Sequence, residues 1–371
     1  MKKNSTRQQS SKRSEKLTQG SITIGMDLGD KKSHYCMLDS CGEVTKEGTV
    51  ATTRQAMAEE FGKLDRCRIA IEVGTHSRWV GRLLSEAGHE VIVANPREVQ
   101  AISGSSRKND RVDAEMLARL ARVDPKLLHP IRHRSERAHG HLMKIRVRSS
   151  LIEARTGLIN AARGLVKAVG ERLAKCDTDQ MGTEQLQGLP ESVQVTLKPL
   201  LEQVESLTKT IKECDAEIEQ IARSEYPETA LLKQVSGVGN LIALTFVLTI
   251  DDPGRFRKSR DVGCYSGLRP ERRESGEKKP ELGISKEGDS YLRKMLVQAA
   301  HHIVSHRGPD TDLKRWGLQL AGKSGKNAKK RAIVAVARKL AVLLHRLWVT
   351  GEVYEPLRNS QVREALKQRA A

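Results

Sequence analysis

Between residues 21 and 94 the apolar positions fall in short β-branched runs broken by turn residues. Such runs are too short for helices and fit strands. The pattern predicts strands over residues 21–27, 32–39 and 43–50, with Asp39-Ser40-Cys41-Gly42 as turn chemistry between the last two. A helical pattern follows over 53–64, a buried strand over 68–73, a helix over 77–87 and a strand over 90–94. Asn95-Pro96 opens a further helix or turn, and residues 110–123 are strongly helical. Three hairpin-linked strands followed by alternating helix and strand predict an α/β domain with a mixed sheet over residues 21–133.

Residues 134–226 show no strand signal. Ile145, Ile152, Ile159 and Val166 recur every seven residues, with Leu151, Leu158 and Leu165 as the adjacent column. Beyond Pro199, Leu200, Val204, Leu207, Ile211, Cys214, Ile218 and Ile221 alternate at spacings of four and three. That is a coiled-coil seam, and it predicts an antiparallel helical arm turning near residues 188–190. Residues 227–350 read as a third, mainly helical unit. There a helix over 230–235, the turn Ser236-Gly237-Val238-Gly239 and a helix over 241–250 look like a helix-hairpin-helix, whose backbone N–H groups reach a phosphate. Gly-x-Gly is ordinary turn chemistry as well. A short helix over 260–268, a polar basic loop over 269–283, a helix over 287–305 and an amphipathic basic helix over 323–346 complete the unit. Residues 1–20 read as a basic disordered tail and 351–371 as a C-terminal tail.

Charge narrows the partners. Lys and Arg number 65 against 46 Asp and Glu, a formal charge of +19, which favours nucleic acid or an anionic membrane. No apolar run reaches the ~18–20 residues of a membrane span, and the first twenty residues hold no apolar stretch of a secretory signal. The six Cys form no CxxC pair. A zinc ribbon and a disulfide framework are therefore not expected, and a reduced cytosolic compartment is. Only three Phe, three Trp and five Tyr are present, so charge rather than base stacking must carry nucleic-acid binding.

Four carboxylates stand out. Asp27 closes the first strand in Gly25-Met26-Asp27-Leu28-Gly29, Glu72 ends another apolar strand, and Asp110 and Asp113 share one face at a helix start. A carboxylate at the end of an apolar strand is costly to desolvate without compensation. Mg²⁺ prefers such hard oxygens and keeps substrate phosphates in its shell. Two ions together hold the attacking and leaving oxygens of a phosphoryl transfer. Each acid has an ordinary alternative: a turn cap or ion pair for Asp27, an N-cap for Asp110, an Arg partner for Asp113. The ordered set of strand-Asp, hairpin strands, helix, strand-Glu and Asp-x-x-Asp resembles the ribonuclease-H-like fold of RuvC-type nucleases.

The resemblance extends further. The acids stand with Lys108-Asn109-Asp110-Arg111-Val112-Asp113-Ala114. Downstream come Gly237-Val238-Gly239, Tyr265-Ser266-Gly267-Leu268-Arg269-Pro270, Ser275-Gly276, Ile284-Ser285-Lys286-Glu287-Gly288-Asp289 and Leu292-Arg293. Over residues 22–350 the chain resembles the DEDD insertion-sequence transposases, the family that includes bridge-RNA-guided recombinases and pilin-gene invertases. The resemblance implies a RuvC-like domain whose Asp27, Glu72, Asp110 and Asp113 bind two Mg²⁺ ions, with Mn²⁺ as a substitute. It also implies a nucleophilic serine at Ser275 that forms a phosphoserine link to DNA. Further implications are double-stranded donor and target DNA, a structured guide RNA, a homodimer that becomes a tetramer at synapsis, a composite site uniting acids and serine, and a bacterial nucleoid setting.

Without the resemblance, Ser275-Gly276 is simply a turn. Ser266 is explained by a helix C-terminal turn, and Ser285 is expected to cap the following helix. Arg269, Arg272, Arg273 and Lys286 are available as cations. His76, His301, His302 and His306 are acid–base candidates by residue type alone, with structural roles expected. The alternative function is a hydrolytic RuvC-type junction nuclease, which needs the acids but no serine. A non-catalytic nucleic-acid scaffold, in which the acids only cap and pair, is a third reading. An actin-like kinase is set aside because no second glycine-rich phosphate loop is evident.

Overall fold

Side-chain alternation builds the first sheet. The computed structural model describes residues 22–95, 109–271, 282–323, 325 and 327–361. The chain divides into two units, residues 1–133 and 134–371. In the first, β1 (Thr23–Asp27), β2 (Lys32–Leu38), β3 (Val44–Ala51), β4 (Arg68–Glu72) and β5 (Glu90–Ala94) form a mixed sheet in the order β3-β2-β1-β4-β5. The hairpin neighbours β1–β2 and β2–β3 are antiparallel, while β1–β4 and β4–β5 are parallel. Parallel neighbours need crossovers. Here α1 (Arg54–Phe61) and α2 (Ser77–Glu86) occupy those connections. Ile24, Met26, Tyr35, Met37, Ile69 and Ile71 point to one face and share a core with Met57, Phe61, Val80 and Leu84.

The opposite face carries smaller residues. Cys36, Ala70 and Ala94 are buried there against Ala114, Leu117, Ala118 and Ala121 of α3 (Asp110–Val123). Gly25 sets the spacing. A Cβ at this position would lie 2.0 Å from the Ala114 carbonyl oxygen and 2.3 Å from the Ala118 nitrogen. Only glycine lets the α3 backbone lie directly on β1. The mixed α/β reading of this region agrees with the structure, with element ends displaced by at most three residues. The segment opened by Pro96 lies outside the described residues.

In the second unit, α4 (Glu136–Ala168) and α5 (Glu191–Glu225) pack side by side. The ion pairs Arg137–Glu225, Lys144–Glu217 and Arg148–Asp215 step in opposite directions along them, so the helices are antiparallel. The second helix begins at Glu191, directly after the expected turn, and Pro199 lies inside it. One expectation needs correction. The buried column of this helix is Leu197, Leu201, Val204, Thr208, Ile211 and Ile218, so Leu201 and Thr208 replace the expected Leu200 and Leu207. On α4, Arg155 is buried while Leu165 is 53% exposed. Arg155 donates to the Thr208 hydroxyl at 3.2 Å and lies 2.7 Å from Asp179. This polar layer draws the seam to the flank where Thr208 stands.

Six further helices follow among the described residues: α6 (Thr229–Leu232), α7 (Asn240–Ile250), α8 (Arg260–Tyr265), α9 (Ser290–Val304), α10 (Asp312–Ala321) and α11 (Ala328–Thr350). They share one core with the beginning of α4 and the end of α5, including Leu142, Ile145, Ile218, Phe246, Leu292 and Leu340. Residues 243–250 are all buried, which fits a helix that is apolar on every side. The sequence pattern assigned no element to α10. Its buried positions are only Leu313 and Gly317, too sparse a stripe to read. No helix among the described residues is long and apolar enough to cross a membrane.

Candidate functional site

The sheet brings the first-unit acids to one end. Asp27 and Glu72 terminate the parallel neighbours β1 and β4, whose register sets Met26 beside Ile71. By alternation both carboxylates belong to the face that α3 covers, the face of Gly25 and Ala70. Asp110 and Asp113 occupy the first turn of α3. Asn109, rather than Asp110, caps this helix, its side chain accepting the Arg111 amide at 3.1 Å. Thus the close approach at Gly25 carries the α3 carboxylates toward the end of β1.

The electrostatics record this crowding. Burial raises the Asp27 carboxyl above its ordinary range, and repulsion from Asp110 and Asp113 raises it further. His34 and the Leu28 amide oppose the shift. His34 stands opposite Asp27 in the β1–β2 register, and its Nε2 lies 3.7 Å from Asp110 Oδ2. The sequence pattern did not single out His34, although the hairpin pairing would have pointed to it. Among the described residues no three His, Cys, Asp or Glu side chains already stand in ligating positions. The donors are nonetheless hard oxygens, partly buried at Asp27, Glu72 and Asp113 and exposed at Asp110, and those of Asp110 and Asp113 repel Asp27. A divalent cation would relieve that repulsion by drawing them together.

His76 joins the two strand-end loops of this site. Trp79 Nε1 donates to its Nδ1 at 3.0 Å, and its Nε2 lies 3.4 Å from Asp30 Oδ1. Asp30 follows β1 and His76 follows β4, so the pair fastens the segments after Asp27 and Glu72. His301, His302 and His306 are exposed.

In the second unit the downstream motif residues build a stem. The Lys286 amide donates to the Gly267 carbonyl at 3.2 Å, the Ser285 amide to Arg269 at 3.0 Å and the Glu271 amide to Gly283 at 2.8 Å. Pro270 and Ile284 form a bridge between the two sides. Gly267 and Gly288 take φ of 69° and 73°. A Cβ on either would lie 2.0 Å from the other strand's carbonyl oxygens, those of Glu287 and Tyr265. Arg293 Nη1 donates to the carbonyls of Ser266 at 3.2 Å and Glu287 at 2.9 Å. The residues that read as a family signature therefore hold together the two chain segments that flank residues 272–281. Ser275, Arg272 and Arg273 lie outside the described residues.

Asp289 anchors this stem. It caps α9 by accepting the Leu292 amide at 2.9 Å. It also receives Arg146 Nη2 at 2.8 and 2.7 Å and lies 3.5 Å from Arg134. Burial alone would raise its carboxyl, but the Leu292 amide and Arg146 outweigh that and hold it below the ordinary range. Ser285 does not cap the helix as expected; Asp289 does. The Ser285 hydroxyl is buried with no hydrogen-bond partner among the described residues. Ser266 is buried, its hydroxyl donating to the Gly263 carbonyl at 3.2 Å, as a helix-end turn requires.

Comparison with known proteins adds an independent line. A DEDD-type model of the IS110 group, described as a transposase, matches residues 24–170. A second, described as a transposase of the IS116/IS110/IS902 family, matches residues 229–314. The chain is 26% identical over 338 residues to the transposase for insertion sequence element IS1111A of Coxiella burnetii, covering 89% of this chain and 90% of that one. It is 25% identical to the transposase for insertion sequence element IS1328 of Yersinia enterocolitica, covering 89% and 98%. A probable family 20 transposase of Pseudomonas aeruginosa is 29% identical over 82% of this chain and 90% of its own.

Proposed function

This chain belongs to the DEDD insertion-sequence transposases of the IS110 type, and from that premise we propose that it recombines DNA through a phosphoserine intermediate. The observation that carries the reading is the close approach of α3 to β1 at Gly25, which sets the first-turn acids Asp110 and Asp113 toward the strand end that carries Asp27. The sheet order β3-β2-β1-β4-β5, with one acid ending β1 and another ending β4, supports an RNase-H-like, RuvC-like fold for the first unit.

Asp27, Glu72, Asp110 and Asp113 are the proposed holders of two Mg²⁺ ions, with Mn²⁺ as a substitute. When bound, the ions would supply charge neutralisation at a scissile phosphate. Ser275 is the proposed nucleophile. Its Oγ forms a new ester bond to phosphorus, one P–O bond of the DNA backbone breaks, and the proton lost from the serine is balanced by one gained on the departing oxygen. The ester is conserved in the protein–DNA link, so rejoining needs no ATP. Arg269 and Lys286, on the stem, are available to stabilise charge on the phosphate. A structured RNA pairing with donor and target DNA is the proposed source of sequence choice, and a homodimer, tetrameric at synapsis, the proposed assembly. A net charge of +19 suits both polyanions.

The test is to incubate the protein, the element's non-coding RNA and labelled DNA with Mg²⁺ and to map any adduct by peptide mass. A link on the peptide containing Ser275, absent in Ser275→Ala, is expected. Unchanged cleavage by Ser275→Ala with ordinary 5′-phosphate ends would identify a hydrolytic junction nuclease instead. Rearrangement that survives Asp27→Asn and Glu72→Gln would remove the acids from the chemistry.

A further inference from the structure

Arg146 reaches from α4 to the residue that anchors the stem. Its Nη2 donates to both oxygens of Asp289, at 2.8 and 2.7 Å, and its guanidinium lies over the Tyr291 ring, 4.6 Å from the centroid. One planar group is thus gripped twice, by a carboxylate at its edge and by a ring at its face. A point-charge ammonium cannot reproduce both contacts.

Different parts of the second unit hold the two ends of this contact. On the α4 side, Arg148 pairs with Asp215 of α5. Just ahead of α4, the Ser135 amide and hydroxyl donate to Asp251 at 2.7 and 2.6 Å. Arg134 Nε donates to the Thr249 carbonyl at 2.9 Å, while its guanidinium stands 3.5 Å from Asp289. On the other side, Asp289 follows Gly288, whose φ of 73° and close packing on the Tyr265 carbonyl hold the chain against the 265–267 segment. Arg293, one turn into α9, ties the Ser266 and Glu287 carbonyls together. A displacement of Asp289 therefore moves both segments that flank residues 272–281, among which is Ser275. Capping α9 would need only the Leu292 amide, and asparagine or serine would serve. Two guanidiniums on one buried carboxylate exceed that need.

We propose that Arg146, acting through Asp289, is a positioning residue for the serine step: the pair fixes the segments flanking Ser275 against α4, and with them the line along which the serine Oγ meets phosphorus. The inference rests on the serine reading of the site. In this role neither side chain contacts the phosphate; both act through the backbone on either side of the serine. In-line displacement tolerates little error, and a misplacement of about 1 Å costs on the order of a hundredfold in rate.

The test compares wild type with Arg146→Met and Arg146→Lys in the full-length protein. Methionine keeps an apolar contact on Tyr291 and removes the charge; lysine keeps the charge and removes the planar fork. With the element's non-coding RNA, saturating labelled DNA and Mg²⁺, the single-turnover rate of the Ser275 adduct is measured at a temperature where circular dichroism shows each variant folded. Anisotropy reads DNA affinity, and hydrogen exchange is followed in peptides spanning 265–271 and 282–289. Arg146→Met should slow the adduct about a hundredfold and Arg146→Lys about tenfold, with DNA affinity within about twofold of wild type and faster exchange in both peptides. Raising Mg²⁺ should restore neither rate, because the first-unit acids are intact. Adduct rates within about twofold of wild type, in variants that melt earlier or exchange faster, would reduce the pair to a cap and overturn the proposal while leaving the serine reading intact. Full recovery of the rate in Arg146→Lys would make charge rather than geometry the cause and would overturn it too. Absence of any Ser275 adduct in wild type would defeat the serine reading and this inference with it.

Discussion

Asp289 offers the sharpest quantitative test. Its carboxylate caps α9 through the Leu292 amide and takes two hydrogen bonds from Arg146, with Arg134 nearby. Loss of a cap costs about 1 kcal/mol. Stripping the partner from a fully buried guanidinium costs ~3–5 kcal/mol. The Arg146 side chain is 39% exposed, so water compensates much of that and ~1–2 kcal/mol remains. Asp289→Ala should therefore lose about 2–3 kcal/mol in all, or ~5–10 °C in Tm for a unit of this size. Asparagine caps as well as aspartate, so Asp289→Asn should lose only the charge part, ~1–2 kcal/mol.

The pH dependence has a definite sign. The folded Asp289 titrates below the unfolded residue. Its stabilisation is complete above the unfolded value, ~3.9, and disappears as pH falls through the folded one. The gap between wild type and Asp289→Asn should thus close below about pH 4. Urea denaturation at several pH values measures both quantities. Alanine and asparagine variants that lose equally, or a gap constant from neutral pH to pH 3, would refute the assignment.

Other outcomes follow from named interactions. Gly25→Ala must push α3 off β1, because its Cβ would lie 2.0 Å from a backbone oxygen; a loss of about 3 kcal/mol or more in denaturant melts is expected, with weaker Mn²⁺ binding by titration calorimetry. Asp27 titrates above its unfolded value, so its contribution is favourable below that value and lost as pH rises through the folded one. Asp27→Asn should therefore raise the cation-free Tm at neutral pH, show less stabilisation by Mg²⁺ and abolish strand transfer in a gel assay. Arg155 is 6% exposed and held by Asp179 and Thr208. Asp179 is exposed, so Arg155→Ala leaves a cavity rather than a buried charge and should cost about 2–4 kcal/mol, whereas Arg155→Met, which refills the volume without a charge, should stay within about 1 kcal/mol of wild type or exceed it in thermal melts.

The strands and α3 were legible because the first unit is built from local periodicity. The short apolar runs of β1, β2 and β4 and the turn after Leu38 are visible residue by residue, and the positions of Asp27, Glu72, Asp110 and Asp113 on those elements came with them. Elsewhere the signal was ambiguous. In α5 two apolar columns flank Val204, Ile211 and Ile218, and sequence spacing cannot choose between Leu200 and Leu201. The choice falls to the buried Arg155–Thr208 hydrogen bond, between residues 53 apart.

The sequence by itself determined which acids terminate which elements and placed a serine in a polar loop between two glycine-rich motifs, since element type depends on near neighbours. Only tertiary structure decided that α3 lies on β1, that His34 faces Asp110, and that Asp289 receives Arg146 across 143 residues. Such pairings depend on close approach and shared burial, and a carboxylate's charge state follows from what surrounds it in space rather than along the chain.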